Sequence, residues 1–136
     1  MLDMRRLAAG TEAEIDTAFA TLAERHAAGL VVQGDILYTN RRDDFIALAA
    51  RYTIPAIYMW SEFTAAGGLI AYGNSLAEGY RQVGAYVGRI LHGAKPADLP
   101  VMQPTRFRLT INLRTAKTLG LTIPASLLIL ADEVIE

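Results

Sequence analysis

Three short apolar runs without polar alternation constrain this chain more than any other feature. They are Leu30-Val31-Val32, Ala56-Ile57-Tyr58-Met59-Trp60 and Leu69-Ile70-Ala71-Tyr72. Uninterrupted runs of this length suit strands covered on both faces, as in a parallel sheet. A helical pattern precedes the first: Thr11 to Glu14 reads as a capping box, and Ile15, Ala18, Phe19, Leu22 and Ala23 give one inner face. A second helix fills the gap to the next run, capped by Asn40, with Asp43 and Asp44 in its first turn and Phe45, Leu48, Ala49 and Tyr52 as its stripe. Pro55 stands at the start of the second strand, where no ladder N–H is lost. A polar turn and Gly67-Gly68 lead into the third. Strands alternating with helices predict an open, mostly parallel sheet with helices on both faces.

The remaining segments extend this pattern. Residues 1–6 read as an edge strand or its tail. Ser75 to Glu78 is a second capping box, opening a helix that runs to about His92. Leu76, Tyr80, Val83, Val87 and Ile90 are its expected buried stripe, and Gly84 and Gly88 suggest close packing on another backbone. Pro96 and Pro100 bracket a loop. Residues 101–136 form a distinct tail within the single domain 1–136. There Arg106 to Asn112 alternates strictly, with Phe107, Leu109 and Ile111 on one face and Arg106, Arg108 and Thr110 on the other. This predicts a half-exposed strand at an edge or across a hinge. Asn112 caps a short helix, Arg114 to Leu119, stopped by Gly120. Pro124 to Glu136 reads as a helix or turn carrying Leu127-Leu128-Ile129-Leu130.

Composition narrows the functional classes. Hydrophobic residues make up 52% of the 136, yet no run approaches the roughly 18 needed for a spanning helix. The net charge of −1 comes from interleaved acids and bases. That argues against a nucleic-acid surface, which needs a basic stripe. With no cysteine there is no disulfide, thiolate metal site or thiol nucleophile. Residues 1–6 lack a basic region followed by an apolar stretch, so the chain is either cytoplasmic or part of a longer precursor.

Ligands of open α/β sheets bind beyond the carboxyl ends of the strands. The segments there are Gln33 to Tyr38, Trp60 to Phe63 and Tyr72 to Asn74. Gly34, Asp35, Tyr38, Trp60, Glu62 and Tyr72 supply carboxylates, aromatic faces and a close backbone approach. They suit a small polar or amphipathic solute with a cationic or hydroxyl group. Each has a plainer reading: Asp35 as an Asx cap, Trp60 as core, Glu62 as a solvated surface acid, the tyrosines as packing. Phosphate is not favoured, because no Gly-rich phosphate motif is present. His26 and His92 both fall near helix ends without a partnered nucleophile, and Ser61 lacks the nucleophile-elbow pattern. An enzyme, a bound metal and a cofactor are therefore not expected.

Five stretches, in order, resemble one family. They are Arg41 to Ala50; Ile54 to Tyr58 with Glu62-Phe63; Gly67 to Gly73; Ile90 to Pro100 (I-L-H-G-A-K-P-A-D-L-P); and Asn112 to Pro124 (N-L-R-T-A-K-T-L-G-L-T-I-P). The chain is similar to ABC-transporter substrate-binding proteins of the tryptophan/tyrosine-type group, with the type I periplasmic-binding-protein fold. The resemblance implies a flavodoxin-like C-terminal lobe, and a small amino-acid-like or aromatic solute held between two lobes. It also implies an N-terminal lobe, an ABC permease as partner and a periplasmic location. It carries a ligand role onto Asp35. The sequence departs from the tryptophan-type members at Trp60, where they carry an acid, and at the apolar Ile129-Leu130. An isolated lobe is expected to pair with a copy of itself through its tail and its open edge. A stand-alone flavodoxin-like regulatory or oligomerisation module is the alternative reading.

Overall fold

Helix α1 (Glu12–Glu24) starts where the capping box places it. The Thr11 hydroxyl accepts from the Glu14 N–H at 3.3 Å, and the Glu14 carboxylate accepts from the Thr11 N–H at 3.1 Å. Two otherwise orphaned donors are thereby satisfied. Ile15 and Phe19 are its buried residues. Phe19 meets Phe45 edge-on at 5.7 Å, which joins α1 to α3 (Arg42–Arg51).

The computed structural model describes residues 3–136. Its sheet holds β1 (Leu30–Val31), β2 (Ala56–Tyr58), β3 (Ile70–Gly73), β4 (Arg108–Asn112) and β5 (Glu133–Ile135), in that spatial order. The first three strands are parallel, with Leu30 beside Ala56 and Ile57 beside Ile70. Strand β4 runs antiparallel to β3, and β5 parallel to β4. The fold is the expected α/β arrangement. Its core gathers Ile15 and Phe19 of α1, Phe45 and Ala49 of α3, Ala56 and Tyr58 of β2, Ala71 of β3, and Phe63 of α4 (Ser61–Ala65). Tyr58 stacks on Phe63 at 4.5 Å, and burial raises its pKa well above the ordinary phenol range.

Several expectations need correction. An edge strand at residues 1–6 is not formed over residues 3–6, and residues 1–2 lie outside the described region. Asn40 does not cap a helix. It ends a separate short helix, α2 (Ile36–Asn40), which Asp35 caps, and α3 follows from Arg41 without a side-chain cap. The first strand is not covered on both faces: β1 lies at the sheet edge, and Val31 is exposed.

The tail differs most. Strand β4 is interior, and Thr110, expected outward, is only 1% exposed. Its hydroxyl shares a 2.7 Å hydrogen bond with Thr64 of α4, which lets a polar side chain be buried without an orphaned group. Asn112 does cap α6 (Leu113–Thr118), accepting from the Thr115 N–H at 3.1 Å. Its amide also donates to the Thr64 carbonyl at 3.1 Å, and the Thr115 hydroxyl donates to the Gly67 carbonyl at 2.7 Å. Beyond α7 (Ala125–Leu130) the chain forms β5, where a helix or turn was expected throughout. Asp132 secures it: its N–H donates to the Leu109 carbonyl, and its carboxylate accepts from the Leu109 N–H.

Helix α5 (Leu76–Leu91) contradicts the expectation of a buried stripe, because none of its residues is buried. Side chains added at Gly84 and Gly88 would meet nothing within 4 Å, so these glycines pack against no backbone in this lobe.

Candidate solute-binding face

Strands β1, β2 and β3 are parallel, so their carboxyl ends emerge on one side of the sheet and bring three loops together. At the first, Gly34 sits beneath the second. A Cβ there would stand 2.3 Å from the Met59 sulfur and 2.9 Å from the Trp60 ring. Glycine is therefore what lets Trp60 lie against this backbone. At the third, a Cβ on Gly73 would be 2.0 Å from the Met59 carbonyl oxygen, so β2 and β3 end in close backbone contact. Met59 thus joins all three loops. Sequence reading assigned it to a strand interior; its place one residue past β2 is the signal that marks it.

Asp35 is exposed, and its Oδ1 accepts from the Leu37 N–H at 2.7 Å. It is a helix cap in the structure, with one carboxylate oxygen left over. Trp60 precedes α4 and is half-buried against the core. Glu62 follows in the first turn of α4. Its Oε2 is buried and has no hydrogen-bond partner, alone among the buried side-chain polar atoms of the described residues. Leaving such a group unpaired costs about 1–3 kcal/mol.

The two tyrosines have packing partners of their own. The Tyr38 hydroxyl donates to the Ala9 carbonyl at 2.8 Å, and its ring rests on Phe45 at 4.8 Å, so it packs the N-terminal segment onto α2. Tyr72 is exposed and stacks on Phe107 at 6.0 Å. The structure brings Gly34 against Trp60, with Asp35 and Glu62 on the same two loops, while Tyr38 and Tyr72 pack on Phe45 and Phe107.

The face has an indole and two carboxylates, while its two glycines, Gly34 and Gly73, are occupied by Met59 and Trp60 of the same chain rather than open to a ligand, contrary to the close backbone approach expected from sequence. The nearby cation Arg41 is engaged elsewhere, with Glu12 at 2.7 Å and Asp44 at 3.3 Å. Among the described residues no three His, Cys, Asp or Glu side chains group as a metal site would require. His92 is turned to its own helix, with a ring nitrogen 2.7 Å from the Gly88 carbonyl. Such a surface can hold a small molecule by stacking and by accepting hydrogen bonds.

The model of the family described as ABC transporter substrate binding protein matches residues 2–135. The chain belongs to this family. Among solved structures, a conserved domain protein from Vibrio cholerae superposes with TM-score 0.84 at 25% identity, over 93% of this chain and 42% of its own. The ABC domain from Streptococcus pneumoniae, solved in complex with L-Trp, also gives 0.84 at 25% identity, over 95% and 44%. A ligand-free, open substrate-binding protein with adhesive properties from Clostridium difficile gives 0.59 at 22%, over 92% and 41%, a likeness of fold alone. No curated protein matches significantly. The chain spans less than half the length of each of these structures.

Proposed function

We propose that this member of the substrate-binding family is one lobe of a two-lobed periplasmic protein that carries a small amino-acid-like or aromatic solute to an ABC permease, without catalysing a reaction. In this reading an N-terminal lobe closes over the face built by Gly34, Asp35, Trp60 and Glu62. Tyr72 stands at its rim, and Tyr38 holds the helix behind Asp35. The observation that carries it is the buried, unpartnered Oε2 of Glu62 in the turn that follows Trp60. A buried acceptor without a donor is accounted for if a ligand ammonium or hydroxyl supplies one. The Trp60 ring, half-buried over Gly34, offers a stacking surface beside it. The L-Trp complex of the Streptococcus relative supports the amino-acid class.

One lobe supplies about half of a cleft that ordinarily buries 70–90% of a small ligand. The isolated chain should therefore bind weakly, with a dissociation constant on the order of millimolar, about −4 kcal/mol. Trp60 is the only tryptophan, so its indole N–H gives a single amide-region NMR signal to follow. Titration with aromatic and aliphatic amino acids should shift it saturably for the matching class, and Glu62→Gln should weaken the response. An indole signal unmoved by every amino acid at tens of millimolar would reject the reading.

A further inference from the structure

Met59 lies at the junction of the loops that end β1, β2 and β3, between the buried Tyr58 and the half-buried Trp60. Its backbone is pinned there. A Cβ on Gly73 would overlap the Met59 carbonyl oxygen, so only glycine lets β2 and β3 end side by side. Its side chain crosses the other way, to the loop after β1. A Cβ on Gly34 would overlap the Met59 sulfur and stand 2.9 Å from the edge of the Trp60 ring. Sulfur and indole are therefore within about 5 Å of each other, the separation of favourable sulfur–aromatic contacts. Despite these contacts Met59 is 39% exposed, at the end of the sheet where the three loops open.

We infer that Met59, together with Trp60, forms the apolar floor of the solute site and selects the solute by its side chain, accepting an apolar or aromatic group and disfavouring a short polar one. This rests on the solute-binding reading of the face and adds its specificity. The polar end of the solute is met by Glu62, whose buried Oε2 lacks a donor. At the junction itself the chain offers a thioether and an indole. A thioether is only a weak acceptor and an indole has a single N–H, so neither replaces the water that a hydroxyl or amide would lose. Burying such a group there is costly, whereas burying methylenes or a ring is favourable. Methionine adds tolerance, because an unbranched arm with three rotatable bonds reshapes itself around rings and aliphatic chains alike. Backbone and side chain thus divide the task. Gly73 fixes where the floor lies, Gly34 leaves the space that the thioether fills, and the arm of Met59 sets the shape a solute meets.

The test is a titration of the full chain, labelled with carbon-13 at its methionine methyl groups, in which the Met59 methyl and the Trp60 indole are followed together by NMR. Met59→Leu identifies the methyl signal among the four methionines by its loss. The probes are L-phenylalanine, L-leucine and L-serine, up to roughly tens of millimolar to match millimolar binding. Phenylalanine and leucine should move both signals with one midpoint, phenylalanine shifting the methyl upfield through its ring current. Serine should bind at least about tenfold more weakly. The exposed Met4 and Met102 methyls should stay in place. Met59→Ala should weaken the phenylalanine response about tenfold, and Met59→Leu, which restores most of the apolar bulk, should recover most of it. A role in folding alone would instead lower the urea midpoint and leave the Trp60 response of the folded chain intact. In the ligand-free chain Gly34→Ala should shift both signals, since its methyl meets the far end of a flexible side chain and the ring edge rather than backbone; unmoved signals would refute the floor. A saturable Trp60 response without a Met59 response, or serine matching phenylalanine, would overturn the inference while leaving solute binding in place. Silence of both signals toward every amino acid would overturn the two together.

Discussion

Asn112 holds the C-terminal third of the chain to α4, and its replacement has a cost that can be worked out. The side chain is 5% exposed; its oxygen caps α6 through the Thr115 N–H, and its amide donates to the Thr64 carbonyl. Replacing Asn112 with Ala removes the cap, about 1 kcal/mol. It also takes the side-chain donor away from the Thr64 carbonyl in a buried contact, about 1–3 kcal/mol more. The sum is about 3 kcal/mol, a large share of the 5–15 kcal/mol that holds an ordinary domain together. With a urea slope of about 1.5 kcal/mol per molar, the unfolding midpoint should fall by about 2 M. The measurement is urea denaturation followed by circular dichroism at a protein concentration low enough to keep the chain monomeric. Asn112→Asp separates the two contributions. Aspartate caps a helix as well as asparagine but turns a donor towards Thr64 into a charged acceptor facing a carbonyl oxygen. It should therefore destabilise at least as much as alanine. An Ala variant within about 0.3 M of the parent midpoint, or an Asp variant equal to the parent, would refute the double role.

Two further outcomes follow from other caps. Glu14 has its pKa lowered from 4.5, chiefly by the Gly10 N–H donating to its carboxylate at 2.7 Å, with the Thr11 bonds adding to the effect. A depressed folded pKa means the ionised form stabilises the fold above the unfolded value and the contribution is lost as pH falls through the folded one. An NMR titration should place the Glu14 midpoint below 4.5, and Glu14→Gln should flatten the loss of α1 helicity over that acidic window; a midpoint above 4.5 would contradict the capping geometry. Asp35→Asn should leave the unfolding midpoint nearly unchanged, because asparagine caps equally well, whereas Asp35→Ala should cost about 1 kcal/mol by thermal or urea unfolding. In a two-lobed protein the same Asn change should weaken solute binding by about 2–5 kcal/mol if the free carboxylate oxygen meets a ligand cation.

The elements that sequence reading located share a property: their signal is local. The capping box at Thr11, the Asn112 cap and the apolar runs of β1 to β3 are decided within a few residues, and the structure has each of them; of the box expected at Ser75 it has the hydroxyl half, the bond from the Glu78 N–H. Where reading went astray, the deciding partner was distant in the chain. Alternation along Arg106 to Asn112 marks a strand, but nothing local says that Thr110 will find the Thr64 hydroxyl, 46 residues earlier, and be buried. Strand β5 has three residues and no periodicity, and its formation depends on Leu109 and Asp132 bonding each other across the tail. At the candidate site, the loops and the residue types were legible because the parallel order of β1 to β3 fixes which turns converge. The contact of Trp60 with Gly34 was not, since it depends on how far β2 extends beyond its pairing with β1.

Helix α5 shows the limit of periodicity most sharply. A hydrophobic stripe reports that a face must be covered, and in a single compact domain the cover is the domain's own sheet. Here the chain leaves the carboxyl end of β3 at Gly73 and comes back beside the same residue, since Arg108 pairs with Gly73. An excursion that starts and finishes at one end of a sheet need not lie across either face of it. The 34 residues between are therefore free to carry their apolar side to a different body, and the pattern along α5 is the same whichever body that is. Gly84 and Gly88 sharpen the point, because each lowers the intrinsic stability of an exposed helix by about 1 kcal/mol relative to alanine. Glycines on an apolar face make sense once a second backbone approaches them, and in this lobe none does.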